Sequence, residues 1–130
     1  ALQDACRDGG TQYLQDGVKS AQVYGMLKEK VDLSRKTLIY VASPGQLQVV
    51  YQAIRNYPDY MGLFPDTLGL VGFDVEGWTR MTTPAISAII TPAYQEGVRA
   101  MEELADILDG KKTDGEVVFK NIVKWRETTL

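Results

Sequence analysis

Apolar and polar positions along the 130-residue chain change period several times, and each change marks an element. Residues 2–7 read as the end of a helix closed by Gly9-Gly10, and residues 11–14 as a short strand ahead of the turn at Asp16-Gly17. Over residues 18–33, Tyr24, Leu27 and Val31 recur at helical spacing. Residues 37–42 form a compact apolar run of β-formers stopped by Ser43-Pro44-Gly45, the pattern of a buried parallel strand. Leu47, Val50, Tyr51 and Ile54 then fall at i, i+3, i+4 and i+7, one face of a helix that Asn56-Tyr57-Pro58-Asp59 breaks.

Residues 68–73 predict a second buried strand ending at Asp74, and residues 86–90 a third. Thr91-Pro92 has the form of a helix start, a hydroxyl cap followed by a residue that lacks an N–H. The helix runs to about Leu108 with Tyr94, Val98, Met101, Ala105 and Leu108 on one stripe, most simply core, and Asp109-Gly110 stops it. Two short apolar stretches close the chain, Val117-Val118-Phe119 and Ile122-Val123-Lys124-Trp125. Strands alternating with helices predict an α/β fold: a three-layer open parallel sheet with helices on both faces. Ligands of such sheets sit beyond the carboxyl ends of the strands. Attention therefore falls on Ser43-Pro44-Gly45, on the loop from Asp74 to Gly77, and on Thr91-Pro92.

Composition narrows the chemistry available there. There is no histidine, which removes the commonest general base and transition-metal ligand. Enzyme activity is therefore not expected, and no metal site is expected. Gly69 and Gly72 lie inside a strand instead of a strand-to-helix phosphate loop, so no dinucleotide fingerprint is present and no cofactor is expected. A net charge of −3 argues against direct nucleic-acid binding by this chain. No apolar run approaches a membrane span, and the single cysteine, Cys6, allows no internal disulfide and suits a reducing cytoplasm.

Asp74 can accept hydrogen bonds from vicinal sugar hydroxyls, or it can cap its own loop amides. Ser43 can contact a ligand or merely close a turn. Glu76 lies two residues from Asp74, but two acids in one loop need not face a common bond, so a glycosidase pair is not expected. Trp78 suits a core lid, a stacking group or an interface anchor.

Leu70-Val71-Gly72-Phe73-Asp74, then Trp78, Thr83-Pro84-Ala85-Ile86, the helix with Gly97 and Ala100, Asp109-Gly110 and the closing Arg126-Glu127-Thr128-Thr129 come in the order seen in the lactose repressor (LacI/GalR) family. The chain resembles the C-terminal part of that family's sugar-binding effector core, which shares its fold (type I) with periplasmic sugar-binding proteins. Ser43-Pro44 stands where the family usually carries Asn-Asp, closer to the branch resembling fructose repressors.

The resemblance implies an effector site with Asp74, Ser43, Thr91 and, through a looser alignment, Val18. It implies a homodimer with Gln48 and Trp78 at the interface. It divides the chain into residues 1–91 as the C-terminal subdomain, 92–120 as a segment crossing to an N-terminal subdomain, and 121–130 as a returning tail. That N-terminal subdomain, an effector-binding arginine and the operator-reading helix-turn-helix would precede Ala1. The stripe on the helix after Thr91 would then be left bare, and would be covered by dimerisation or exchange with a second copy. The function implied is that of a cytoplasmic sugar- or sugar-phosphate-responsive repressor. A solute-binding protein of a sugar transport system is the alternative.

Overall fold

A computed structural model describes residues 19–75, 77–113 and 115–130. The predicted elements at 2–7 and 11–14, Val18 and Glu76 lie outside these described residues. In chain order the elements are α1 (Ser20–Lys30), β1 (Thr37–Val41), α2 (Pro44–Ile54), a 3-10 turn (Tyr60–Leu63), β2 (Leu68–Asp74), a second 3-10 turn (Trp78–Met81), β3 (Ser87–Ile90), α3 (Ala93–Leu108) and β4 (Ile122–Lys124). The four strands lie in the order β1-β2-β3-β4. The first three are parallel, as their alternation with α2 and the loop turn predicts, but β4 runs antiparallel to β3. The sheet is therefore mixed instead of wholly parallel.

The main core forms where α1 and α2 meet one face of the sheet. Leu47, Val50, Tyr51 and Ile54, the predicted stripe of α2, are all buried. They meet Val23 of α1, Val41, Leu68, Leu70 and Ile86. Tyr24, Leu27 and Val31 pack at the margin of this cluster. Each large side chain buried in this way contributes about 1.5–3 kcal/mol. Gly72 lets α2 come close: a Cβ there would lie 2.7 Å from Leu47 Cδ1 and 3.0 Å from the Val41 carbonyl oxygen.

Two further expectations change. Residues 37–42 are not buried on both faces: burial alternates along β1, with Leu38 64% and Tyr40 44% exposed. These two side chains share the sheet face opposite α2, where Tyr40 meets Phe73 edge-on at 6.4 Å. The stripe of α3, read as core, is bare in this chain: no residue of α3 is buried, and Tyr94, Met101 and Leu108 are 80%, 66% and 78% exposed. Of the two closing stretches, only Ile122–Lys124 forms a strand.

The tail after β4 is built into the sheet. Thr128 is fully buried between the entries of β2 and β3. The Leu70 N–H donates to its carbonyl and its own N–H donates to the Ala85 carbonyl, both at 3.2 Å. Its hydroxyl donates to the Leu70 carbonyl at 2.7 Å and accepts from the Ser87 N–H at 2.9 Å. One threonine thus satisfies backbone groups that the strand pairing leaves open.

Candidate functional site

Strand register brings three of the sequence-predicted residues to one edge. Val41 is level with Gly72, and Gly72 with Ala88. Two residues further on, Asp74 is level with Ile90. Ser43 follows Val41 by two residues and Thr91 follows Ile90 directly. With adjacent strands about 4.8 Å apart, Ser43, Asp74 and Thr91 lie within a band roughly 10 Å wide at the carboxyl edge. Ser43 is half-buried and occupies the N-cap of α2 in an extended conformation, yet its hydroxyl makes no cap bond. The first turn of α2, with Pro44 at its start, therefore opens at this same edge and leaves the amides of Gly45 and Gln46 uncapped by Ser43. Thr91 does not cap α3 as expected. Pro92 takes the cap position, its carbonyl accepting from the Glu96 N–H, and Thr91 stands half-buried one residue earlier.

Asp74 sits differently from its companions. The two-residue period of β2 puts its side chain on the same face as Leu68 and Leu70, and it is fully buried. One carboxylate oxygen, Oδ1, accepts from the Gly77 N–H at 2.7 Å. The other, Oδ2, accepts from the Thr79 N–H at 3.1 Å and from the Thr79 hydroxyl. Gly77, with φ of 81°, makes the turn that returns these donors to the strand end. The carboxylate thus organises its own loop, the capping role that the sequence left open beside a ligand-binding one.

The interface candidates separate. Gln48 is exposed on the outer side of α2, whereas Trp78 is half-buried and packs on Tyr51 with ring centroids 6.4 Å apart. The phenol of Tyr51 and that of Tyr60 both donate to the Thr83 carbonyl, at 3.1 and 3.2 Å. Burial, reinforced by Tyr60, holds the Tyr51 hydroxyl pKa above its ordinary value.

A separate open groove of about 500 Å³ lies between α3 and the segment 115–119, lined by Glu96, Arg99, Glu103, Glu116 and Phe119 among others. Its one arginine is paired with Glu102 and Glu103. One wall is the helix that has no buried residue, so the groove is open to solvent along that side. Among the described residues no group of three or more candidate metal ligands is present, and no helix is long and apolar enough to cross a membrane.

Sequence reasoning missed Thr79 and Arg126. Thr79 is fully buried in the second 3-10 turn. Arg126 donates from Nη1 to the Thr79 hydroxyl at 2.8 Å and to the Ile86 carbonyl at 2.5 Å. The available signal was the parity of Asp74 with Leu68 and Leu70, which demands buried partners for a carboxylate.

No family profile and no curated protein sequence matches the chain. Solved structures do match it. The regulator CcpA of Lactococcus lactis superposes with a TM-score of 0.68 at 16% identity, over 99% of this chain and 48% of that one. The Escherichia coli transcriptional repressor AscG gives 0.68 at 18% identity, over 98% and 48%. A periplasmic binding protein/LacI transcriptional regulator from Alkaliphilus metalliredigens, solved with D-xylulofuranose, gives 0.69 at 18% identity, over 99% and 49%. The chain has the open α/β architecture of the periplasmic-binding-protein-like fold. Its structural neighbours are transcription regulators of the lactose repressor family, at identities that establish likeness of fold, and the chain spans about half the length of each of these three.

Proposed function

We propose that the chain is the effector-binding part of a bacterial transcriptional regulator, and that a sugar or sugar phosphate binds at the carboxyl edge of its sheet. The observation that carries this reading is the shared level of Ser43, Asp74 and Thr91 at that edge, in a fold whose neighbours include a LacI-type regulator solved with a pentulose. Ser43 and Thr91 offer hydroxyls that can both donate and accept, and the first-turn amides of α2 offer donors suited to a hydroxyl or phosphate oxygen. Asp74 acts by holding the loop that walls the site, through its bonds to Gly77 and Thr79.

No chemistry is done on the ligand in this reading. The effector binds one closure of two subdomains better than the other and shifts operator affinity by that difference. Residues 92–120 cross to a second subdomain, which covers the apolar stripe of α3, and residues 121–130 return. Pairing of two copies uses the outer face of α2 around Gln48, with Trp78 at its margin, and operator DNA is read through a domain outside this chain. The protein works in the cytoplasm. A solute-binding protein of a sugar transporter is the second reading, favoured by the same structural neighbour, whose description joins both classes.

Titration calorimetry of the intact protein against free pentoses, hexoses and their phosphates tests the proposal. Saturable binding without turnover, accompanied by a change in operator affinity, supports the regulator. Sugar binding with no DNA binding at all favours the transport reading, and no binding to any sugar refutes both.

A further inference from the structure

Thr79 links two charged groups that lie far apart in sequence. Its hydroxyl and N–H both donate to Asp74 Oδ2, and that hydroxyl in turn accepts from Arg126 Nη1. A hydroxyl carries one proton and two lone pairs, so donation to the carboxylate and acceptance from the guanidinium occur together without conflict. The positive donor behind the hydroxyl polarises it toward the carboxylate and strengthens that bond. Arg126 is itself held at several points. Its backbone N–H donates to the Ser87 hydroxyl at 2.7 Å, its guanidinium donates to the Ile86 carbonyl, and two residues on Thr128 is locked between the entries of β2 and β3. Thr79 is anchored as well, its carbonyl accepting from the Ile86 N–H at 2.9 Å.

From this geometry we infer that Arg126 is a positioning residue for the sheet-edge site: through Thr79 it fixes the Asp74 carboxylate and the turn at Gly77. The inference rests on the sheet edge being the binding site. It adds that the tail leaving β4 sets the shape of the loop at that site. β4 pairs with β3, so a shift of the segment ending at Lys124 moves Arg126, and with it the hydroxyl that orients Asp74. The tail is then a mechanical link between the site and residues 92–125.

Amide hydrogen exchange of the 130-residue chain, read by NMR, tests the link without a ligand. Arg126→Met keeps the apolar stem and removes every side-chain donor. Exchange at the Gly77 and Thr79 amides should rise about tenfold, the worth of one hydrogen bond, with the Leu70 and Thr128 amides little changed. Arg126→Lys, which retains one cationic donor, should restore part of the protection. Thr79→Val should act like Arg126→Met at Gly77, and the double variant should be no worse than Thr79→Val alone.

Equal loss of protection along the whole tail, no change at Gly77 and Thr79, or additive effects in the double variant would overturn the inference. If Arg126→Met does not fold, Arg126→Lys and Thr79→Val, which weaken and remove the same hydroxyl link, carry the comparison. Sugar titration is read separately. Absence of sugar binding counts against the effector reading, while the exchange pattern alone decides whether Arg126 holds the Asp74 loop.

Discussion

Replacing Asp74 by asparagine keeps the shape of the side chain and removes its charge. The carboxylate takes an N–H on each oxygen, Gly77 on Oδ1 and Thr79 on Oδ2. An amide has one acceptor oxygen, so in either orientation its NH₂ group faces one of these two N–H donors. One amide loses its partner, the buried one of Thr79 or the half-buried one of Gly77, and the remaining bonds lose their charge-assisted strength. A bond to a charged group is worth about 1.5–3 kcal/mol and a buried unpaired donor costs about 1–3 kcal/mol. Because the two effects overlap, Asp74→Asn should destabilise the chain by about 2–4 kcal/mol. With an ordinary urea slope the midpoint should fall by roughly 1–3 M in a circular dichroism titration. An unchanged midpoint would refute the assignment of Asp74 as the organiser of its loop. The same reasoning bears on function: Asp74→Ala would release the loop as well as remove an oxygen, so lost sugar binding in that variant would not by itself prove direct contact.

Gly72→Ala should force α2 away from β2, because the added methyl meets Leu47 and the Val41 carbonyl; a loss of about 1–3 kcal/mol in urea unfolding is expected, and none would refute the close approach. Burial raises the hydroxyl pKa of Tyr51 and Tyr57 above the ordinary value of 10.0, so their contribution is fully present below about pH 10 and is lost as pH rises through the folded-state values. The urea midpoint should therefore hold steady up to about pH 9 and fall as pH rises past about 10, and fall less in Tyr51→Phe, which at neutral pH loses only about 0.5–1.5 kcal/mol with its bond to Thr83. The bare stripe of α3 should drive self-association of the isolated chain, seen by light scattering and abolished by Met101→Glu; a monomer with an ordered α3 would refute this.

The local parts of this structure were legible in the sequence. The stripe of α2 and the apolar runs of β2 and β3 announce themselves in the sequence, and the strand ends bounded by Ser43 and Asp74 mark the carboxyl edge of the sheet. What was not legible is non-local. Residues 37–42 read as fully buried because an apolar run carries no information about whether a second layer covers it, and Leu38 and Tyr40 lie exposed. The α3 stripe read as core for the same reason. Thr91 looked like a cap because a hydroxyl before proline usually is one, but the helix starts one residue later. The network around Asp74 depends on Arg126, which no spacing rule connects with a residue so far back along the chain.

We propose that a sugar or sugar phosphate binds at the carboxyl edge that Ser43, Asp74 and Thr91 share. NMR titration of the isotope-labelled intact protein with its tightest-binding sugar tests this most directly. The largest amide shifts are expected at Gly45, Gln46, Val75, Gly77 and Thr91, with Ser43→Ala and Thr91→Ala weakening binding while leaving the urea midpoint unchanged. Shifts centred instead on Glu103, Thr113 and Val118 in the groove beside α3, or full affinity in both variants, would contradict the account.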